Sequence, residues 1–355
     1  MLFYFFSKTN WDEYPRIRHQ MARMLSKRGH QVLFFQKPTY LFGARPITNV
    51  EKNIWVATIP ELFHHQLKIN KILKNISDLF FEYKLKKLIQ NFNEPDYIIN
   101  FNYDYDFLNK IFKKKIIFII NDDFIDMAKW WMKKQAKKLE LSTIRNSNCV
   151  LTVSKKIIGK YQNFSKKVHL FLPWSQNKYI KPKINKDRNT ILIFGYIDNR
   201  IDWDLINYLI KSTNYNLKFV GPILDTKVRL KISEMNQFHN FSYQEPTKLD
   251  KLILNNVFCS LIPYKKETKG VDAVTLSNRT MQILSHGIPV ITKEMAYTMT
   301  IDEVIFSYNS IEDLIKKTNQ IKTTFQKLQN KIKLYLNKNN EVERYKYFIK
   351  IVKIS

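Results

Sequence analysis

The chain has 355 residues, 45% of them apolar, and a net charge of +28. That length allows two domains with separate cores, and the apolar content excludes a disordered polypeptide. Two cysteines are too few for a disulfide scaffold, and no window approaches the 18 or so apolar residues that span a bilayer.

Cys149 and Cys259 sit in the apolar runs NCVLTV and VFCSLI, as small core residues in a reducing compartment would. The opening MLFYFF is too short for a signal segment and lacks a basic start, so a cytoplasmic protein is expected. Residues 1–185 carry 33 Lys and Arg against 14 Asp and Glu, so +19 of the charge lies in the first half. Such a surface suits nucleic acid, anionic lipid or an acidic substrate, although a Lys-rich composition alone would also produce it.

In chain order, Leu2–Phe6 is a strand, followed by a polar loop and a helix from Pro15 to about Arg28 that Gly29 ends. Gln31–Gln36 is the second strand. This βαβ opening begins a doubly wound sheet, whose functional loops follow strand C-termini. The first such loop holds Trp11, Asp12, Glu13 and Tyr14, with Arg16, Arg18 and His19 on the following helix; His19 reads as a helix-surface residue. Asn53–Ile59 is a strand, 62–91 a long helical region, and Asp96–Phe101 a strand. Ile116–Ile120 is another, ending in NDDFID; NCVLTVS and Val168–Pro173 close the half. Trp174–Asn189 is polar, basic and without apolar period, as a linker would be.

The second half starts with strand Thr190–Ile197 and helix Trp203–Lys211. Strand Asn216–Pro222, helix Thr226–Met235, a short strand near Phe241 and a helix Thr247–Leu254 follow. Val257–Ile262 is a buried strand, Ser277–Ser285 a short amphipathic helix, and Pro289–Thr292 a strand. Helices over Ile311–Leu336 and the final VERYKYFIKIVKI end the chain. Strand and helix alternate throughout, so the fold class is α/β.

A helix N-terminus beside a parallel sheet's C-terminal edge favours a phosphate through free N–H groups and its positive dipole end. Asn278, Arg279 and Gln282 lie in the first two turns of such a helix, and Tyr264 precedes its loop. Gly195 follows a strand, where a missing side chain lets backbone approach a phosphate; Arg200 and Tyr243 lie in neighbouring loops. In NDDFID, crowding of Asp122 and Asp123 would raise one carboxyl toward a useful base, Asp122 being preferred. A cap of the next helix by Asp123 or Asp126 fits equally well. Asp104-Tyr105-Asp106 matches a metal-holding carboxylate pair but reads as a helix-start acidic cluster, so no metal is expected. The absence of a Walker loop or Gly-x-Gly-x-x-Gly argues against P-loop and dinucleotide enzymes.

The pattern NCVLTVS, LP, ILIFGYID, LKFVGP and LIPY…NRTMQILSHGIPVIT resembles a two-domain GT-B glycosyltransferase over nearly the whole chain. In its large retaining family the last block reads Pro-Leu-Lys-x-x-Glu before Gly-x-Pro-Val. Here Arg279 and Gln282 take the Lys and Glu positions, and Val274 stands where the Glu-x7-Glu pair needs its first carboxylate. Tyr264, Asn278, Arg279 and Gln282 are more similar to the xanthan-type glucuronosyltransferases, inverting enzymes whose Lys-x-x-Gln pair holds the nucleotide sugar. The resemblance also places an acidic residue in the NDDFID loop. It implies two Rossmann-like domains facing a cleft, 1–173 for the acceptor and 190–336 for the donor, joined by the linker 174–189. The helix at 337–355 would pack back on the first domain.

The expected function is transfer from a nucleotide-diphosphate sugar, a UDP-sugar by preference, to a lipid-linked or glycan acceptor in cell-surface polysaccharide synthesis. Asp122 or Asp123 would be the base, and Gly195, Arg200, Tyr243, Tyr264, Asn278, Arg279 and Gln282 would hold the donor. Trp11, Arg16, Arg18 and His19 would meet the acceptor. No cofactor, metal or nucleic-acid partner is expected; a peripheral position on the anionic inner face of the plasma membrane is. The alternatives are a retaining GT-B transferase, a nucleotide-sugar epimerase, or a basic nucleic-acid-binding protein.

Overall fold

The computed structural model describes the chain except residues 14, 41, 42, 44, 65, 165, 166, 184, 186, 267, 269 and 355 and the side chains of 69 and 354. Tyr14 of the expected acceptor loop therefore lies outside the described residues. The chain divides into two compact units, Met1–Leu172 with Tyr345–Ser355, and Pro173–Arg344.

The first unit is built on an eight-stranded sheet: β1 (Leu2–Phe6), β2 (Gln31–Phe35), β3 (Arg45–Glu51), β4 (Ile54–Thr58), β5 (Tyr97–Asn100), β6 (Lys115–Ile120), β7 (Cys149–Thr152) and β8 (Val168–Leu170). The spatial order is β3-β4-β2-β1-β5-β6-β7-β8. All pairs are parallel except β3 with β4. β1 reads LFYFF and is wholly buried, because helices on both faces of a parallel sheet demand a continuous apolar run. Strand β3 has no apolar alternation and is largely exposed, so only its antiparallel partner defines it.

The helices of this unit are α1 (Ile17–Ser26), α2 (Lys71–Ile89), α3 (Leu108–Ile111), α4 (Phe124–Met127), α5 (Lys133–Arg145) and α6 (Lys155–Tyr161). Helix α1 starts two residues later than expected, because the Arg16 N–H is held by His19 Nδ1 at 3.0 Å. The long region 62–91 resolves into a short 3-10 turn, Leu67–Ile69, and α2, which Asn70 caps by accepting from Ile72 and Leu73 N–H.

The second unit's sheet has β9 (Thr190–Phe194), β10 (Asn216–Val220), β11 (Phe241–Gln244), β12 (Val257–Ile262), β13 (Val290–Lys293) and β14 (Ile305–Tyr308) in the order β11-β10-β9-β12-β13-β14, all parallel. Its helices are α7 (Trp203–Ser212), α8 (Thr226–Met235), α9 (Asn278–Ser285) and α10 (Ile311–Lys338). The expected helix over 247–254 is only a 3-10 turn, Leu249–Lys251. Residues 174–180, expected as linker, pack on this unit: Trp174 is buried, the Ile180 N–H donates to Ser285 O, and the Tyr179 hydroxyl donates to Gln329 Oε1.

The last helix, α11 (Glu341–Ile354), divides between the units at Tyr345. Phe348 is buried against Phe3 and Phe171, and Tyr345 accepts or donates with His30 Nε2 at 2.7 Å. In both sheets the strand order reverses once, at β1/β5 and at β9/β12. Crevices at such reversals, beyond the strand C-termini, are where open α/β sheets bind ligands.

Candidate functional site

In the second unit, the reversal point is built from glycine. Gly195 ends β9 with φ +111°, and Gly221 ends β10 with φ +150°. A Cβ on Gly221 would stand 1.9 Å from Gly195 O, so the two strand ends meet as bare backbone. A Cβ on Gly195 would come within 3.0 Å of the Arg279 side chain. The missing side chain is what lets the guanidinium lie across the strand end.

Arg279 is in the first turn of α9, which Ser277 caps by accepting the Thr280 N–H at 3.1 Å. Its Nη1 donates to Phe194 O at 2.9 Å, its Nη2 to the Tyr264 hydroxyl at 2.5 Å, and its plane lies 5.1 Å from the Tyr264 ring centre. Both acceptors are neutral, and among the described residues no carboxylate pairs with Arg279. A fixed cation and the free N–H groups of a helix start, with no paired carboxylate among the described residues, make a place a phosphate could occupy. The buried Asn278 Oδ1 has no protein partner beside it.

Arg200 lies on the other side of Tyr264, 5.4 Å from the ring centre, but Asp198 neutralises it through contacts of 2.6–3.0 Å. A diphosphate would compete with that carboxylate, so Arg200 is not a ready partner. Tyr243 donates to Gly221 O at 3.2 Å and so shapes the β10 loop. Gln282 is half-buried one turn along α9 from Asn278 and Arg279.

In the first unit, the loop after β6 separates the two carboxylates. Asp123 is buried, caps α4 by accepting the Asp126 N–H at 3.1 Å, and pairs with Lys160 at 2.8 Å and Lys156 at 3.7 Å. Burial works against its charge, but Lys160 and the Asp126 N–H outweigh it and hold the carboxyl below its usual range. A carboxylate so engaged is a poor base, so the expectation for Asp123 is replaced by a structural role. Asp122 is exposed and accepts from Asn121 Nδ2.

Arg18 stands at the same sheet edge, buried, donating to Thr9 Oγ1 at 2.5 Å, Ser7 Oγ at 3.4 Å and Asn121 Oδ1 at 3.3 Å. Burial draws its pKa down to about 10, with Asp122 acting in the opposite sense. His19 is a correction: it is fully buried, not on the helix surface. The loop folds back over the start of α1, so Nδ1 accepts the Arg16 N–H and Nε2 faces Asn10 O at 3.0 Å. Both ring nitrogens are used, leaving none for an acceptor. Arg16 points outward and pairs with Glu13 at 3.3 Å. Trp11 lines a groove of about 650 Å³ with Asp12, Lys37, Arg45 and Thr58.

No protein-family model matches the chain, and no curated protein matches it. Solved structures do. Over 99% of both chains it is similar to the lipopolysaccharide outer core galactosyltransferase WaaB, with a TM-score of 0.66 at 13% identity. Over the same share it is similar to Anabaena Alr3699/HepE, solved in complex with UDP and glucose, with a TM-score of 0.67 at 9% identity. An E. coli trehalose-6-phosphate structure bound with UDP-2-fluoro glucose matches over 99% of both chains with a TM-score of 0.67 at 9% identity. The chain has the GT-B fold.

Within the GT-B frame, the structure gathers Gly195, Arg279 and Tyr264 and leaves Arg200 tied to Asp198. The sequence showed Gly221 only as a loop residue after a strand, because its φ and its contact with Gly195 depend on two strands meeting in space. It also misread Asp104 and Asp106, which do not start a helix, since α3 begins at Leu108. Asp104 pairs with Lys8 at 2.6 Å, closing the β1/β5 reversal, while Lys68 holds Glu61 at 2.8 Å beside them. Burial works to raise the Asp104 carboxyl, and Lys8 and Lys68 outweigh it, holding it at about 2. Asp106 instead takes Lys74 at 2.7 Å and the Ser142 hydroxyl at 2.7 Å. Lys8 and Asp104, and Lys74 and Asp106, are each more than 30 residues apart in sequence, so no local pattern announces these two pairs.

Proposed function

We propose that the chain is an inverting glycosyltransferase that uses a nucleotide-diphosphate sugar, a UDP-sugar by preference. The observation that carries this reading is Arg279, held over Gly195 by two neutral oxygens at the start of α9, with no carboxylate among the described residues paired to it. There the guanidinium and the helix N–H groups would meet the diphosphate, while the half-buried Gln282 would reach the ribose without adding negative charge. Two solved GT-B neighbours are named as bound with UDP or a UDP-sugar, which supports the nucleotide class.

In the transfer, Asp122 takes the proton of the acceptor hydroxyl as its oxygen attacks the anomeric carbon. The carbon–oxygen bond to the nucleoside diphosphate breaks, and the bonding pair leaves with the diphosphate, whose charge Arg279 stabilises. The groove beside Trp11, with Lys37 and Arg45, would receive a glycan or lipid-linked acceptor. The excess positive charge of residues 1–185 favours work at the anionic inner face of the plasma membrane, in cell-surface polysaccharide synthesis.

The test is a thermal-shift screen against UDP, GDP, CMP and their sugars, with and without EDTA. A ligand that binds only the folded state raises the melting point. One nucleotide should do so in EDTA, and Arg279→Ala should lose the shift. A retained shift in Arg279→Ala, or none with any nucleotide, would sink the donor site.

A further inference from the structure

We propose that one face of the first unit docks on an anionic lipid surface, with Met127, Trp130 and Trp131 entering the headgroup layer. The proposal deepens the membrane part of the reading above and is independent of the sugar chemistry. Its first ground is exposure. Trp130 is 85% exposed, and Met127 and Trp131 beside it are exposed too, whereas neighbouring Met132 is buried and anchors the turn. A large apolar side chain left in water within one short turn marks an interaction surface.

The second ground is charge. Lys129 and Lys133 bracket the tryptophans, and Lys134, Lys137 and Lys138 continue along α5. The acids of this stretch are engaged: Asp126 lies 3.8 Å from Lys133, and Glu140 is buried and accepts from the Tyr161 hydroxyl. Tryptophan rings interleaved with lysines fit a headgroup layer, where the ring lies at the polar boundary and the ammonium reaches lipid phosphate.

The third ground is a second exposed apolar face in the same unit. On α2, Ile72, Ile76, Leu79 and Tyr83 recur at three- and four-residue spacing and all are exposed, Leu79 by 67%, while Ser77, Phe81 and Leu85 pack inward. The start of α2 and the end of α5 converge on Asp106, which bonds both Lys74 and Ser142. Asp122 lies eight residues before Trp130 in the same β6–α5 connection. Docking would therefore bring the candidate base to the surface that presents a lipid-linked acceptor.

The test uses the full chain with vesicles of phosphatidylcholine alone or mixed equally with phosphatidylglycerol, read by co-sedimentation and by quenching of tryptophan emission with brominated lipid. Wild type should bind the anionic vesicles only and be quenched. Met127→Ser with Trp130→Ser, and separately the triple change of Lys134, Lys137 and Lys138 to Glu, should each lower partitioning about tenfold or more. Leu230→Ser, an exposed apolar residue of the second unit, should bind as wild type. Melting temperature and the nucleotide shift should be unchanged in all of them, which separates this proposal from the donor site. Full binding by the tryptophan and lysine variants would overturn this face while leaving the membrane reading in place. No binding by wild type would overturn both. A dimer in light scattering that Trp130→Ser dissolves would make the face a self-association surface instead.

Discussion

Two residues carry the chemical argument, and their substitutions should separate binding from catalysis. Arg279→Lys keeps the charge but loses the fork that reaches Phe194 O and Tyr264 together, so nucleotide affinity should fall about tenfold, measured by calorimetry. Asp122→Asn should lower kcat by about 10²–10⁴-fold with donor affinity kept, since the residue is exposed and in the first unit, away from Arg279 in sequence. A rate within twofold of wild type would favour a retaining enzyme. Asp123→Asn should behave oppositely, reducing stability by about 1–3 kcal/mol because Lys160 and Lys156 lose a buried partner. The sequence made the adjacent carboxylates visible and offered the cap as one reading. The ion pair that distinguishes them comes from a helix more than 30 residues away, which no local spacing encodes.

At the scale of elements, the two strand ends at Gly195 and Gly221 and the α5–α6 contact make separate predictions. Gly221→Ala places a Cβ against Gly195 O at a positive φ and should cost about 2–4 kcal/mol, seen in urea unfolding. Glu140 on α5 is buried against Tyr161 on α6, and burial lifts its pKa from 4.5 to about 7. The folded state thus holds this proton more tightly than the unfolded chain. Its contribution is full below pH 4.5, declines as pH rises toward 7, and is level above that. Glu140→Gln should flatten this dependence and be more stable than wild type at pH 8 by on the order of 2 kcal/mol, while matching it near pH 5. A variant equally destabilised at both pH values would refute the buried-proton account. Helix periods were legible wherever one face is apolar, as in α7 and α9. The 247–254 segment was not, because only Leu249 and Leu252 find a core.

For the whole molecule, the relevant quantities are the two sheets and the uneven charge. Each sheet reverses strand order once, and the two reversal points differ: glycine backbone and a guanidinium held by neutral oxygens in the second unit, the Lys8–Asp104 pair in the first. The second is thus prepared for an anion, and the first is already neutralised. If the surplus of lysines serves a lipid surface, vesicle binding should weaken steeply between about 0.1 and 0.5 M salt as screening shortens to a few ångströms. The nucleotide shift, held by partly buried groups, should change much less. Equal salt sensitivity of both would argue against separate surfaces.

The sequence by itself determined the α/β class, the alternation of elements and the start of α9 beside a strand end. Those features are written in local apolar periods, caps and glycines, which act over a few residues. Only the tertiary structure decided that Asp122 stays exposed while Asp123 is buried and held by Lys160, that Arg200 is matched by Asp198, and that His19 is buried under its own loop. Those outcomes depend on which charges and surfaces meet after folding, and burial then sets what each charge can do.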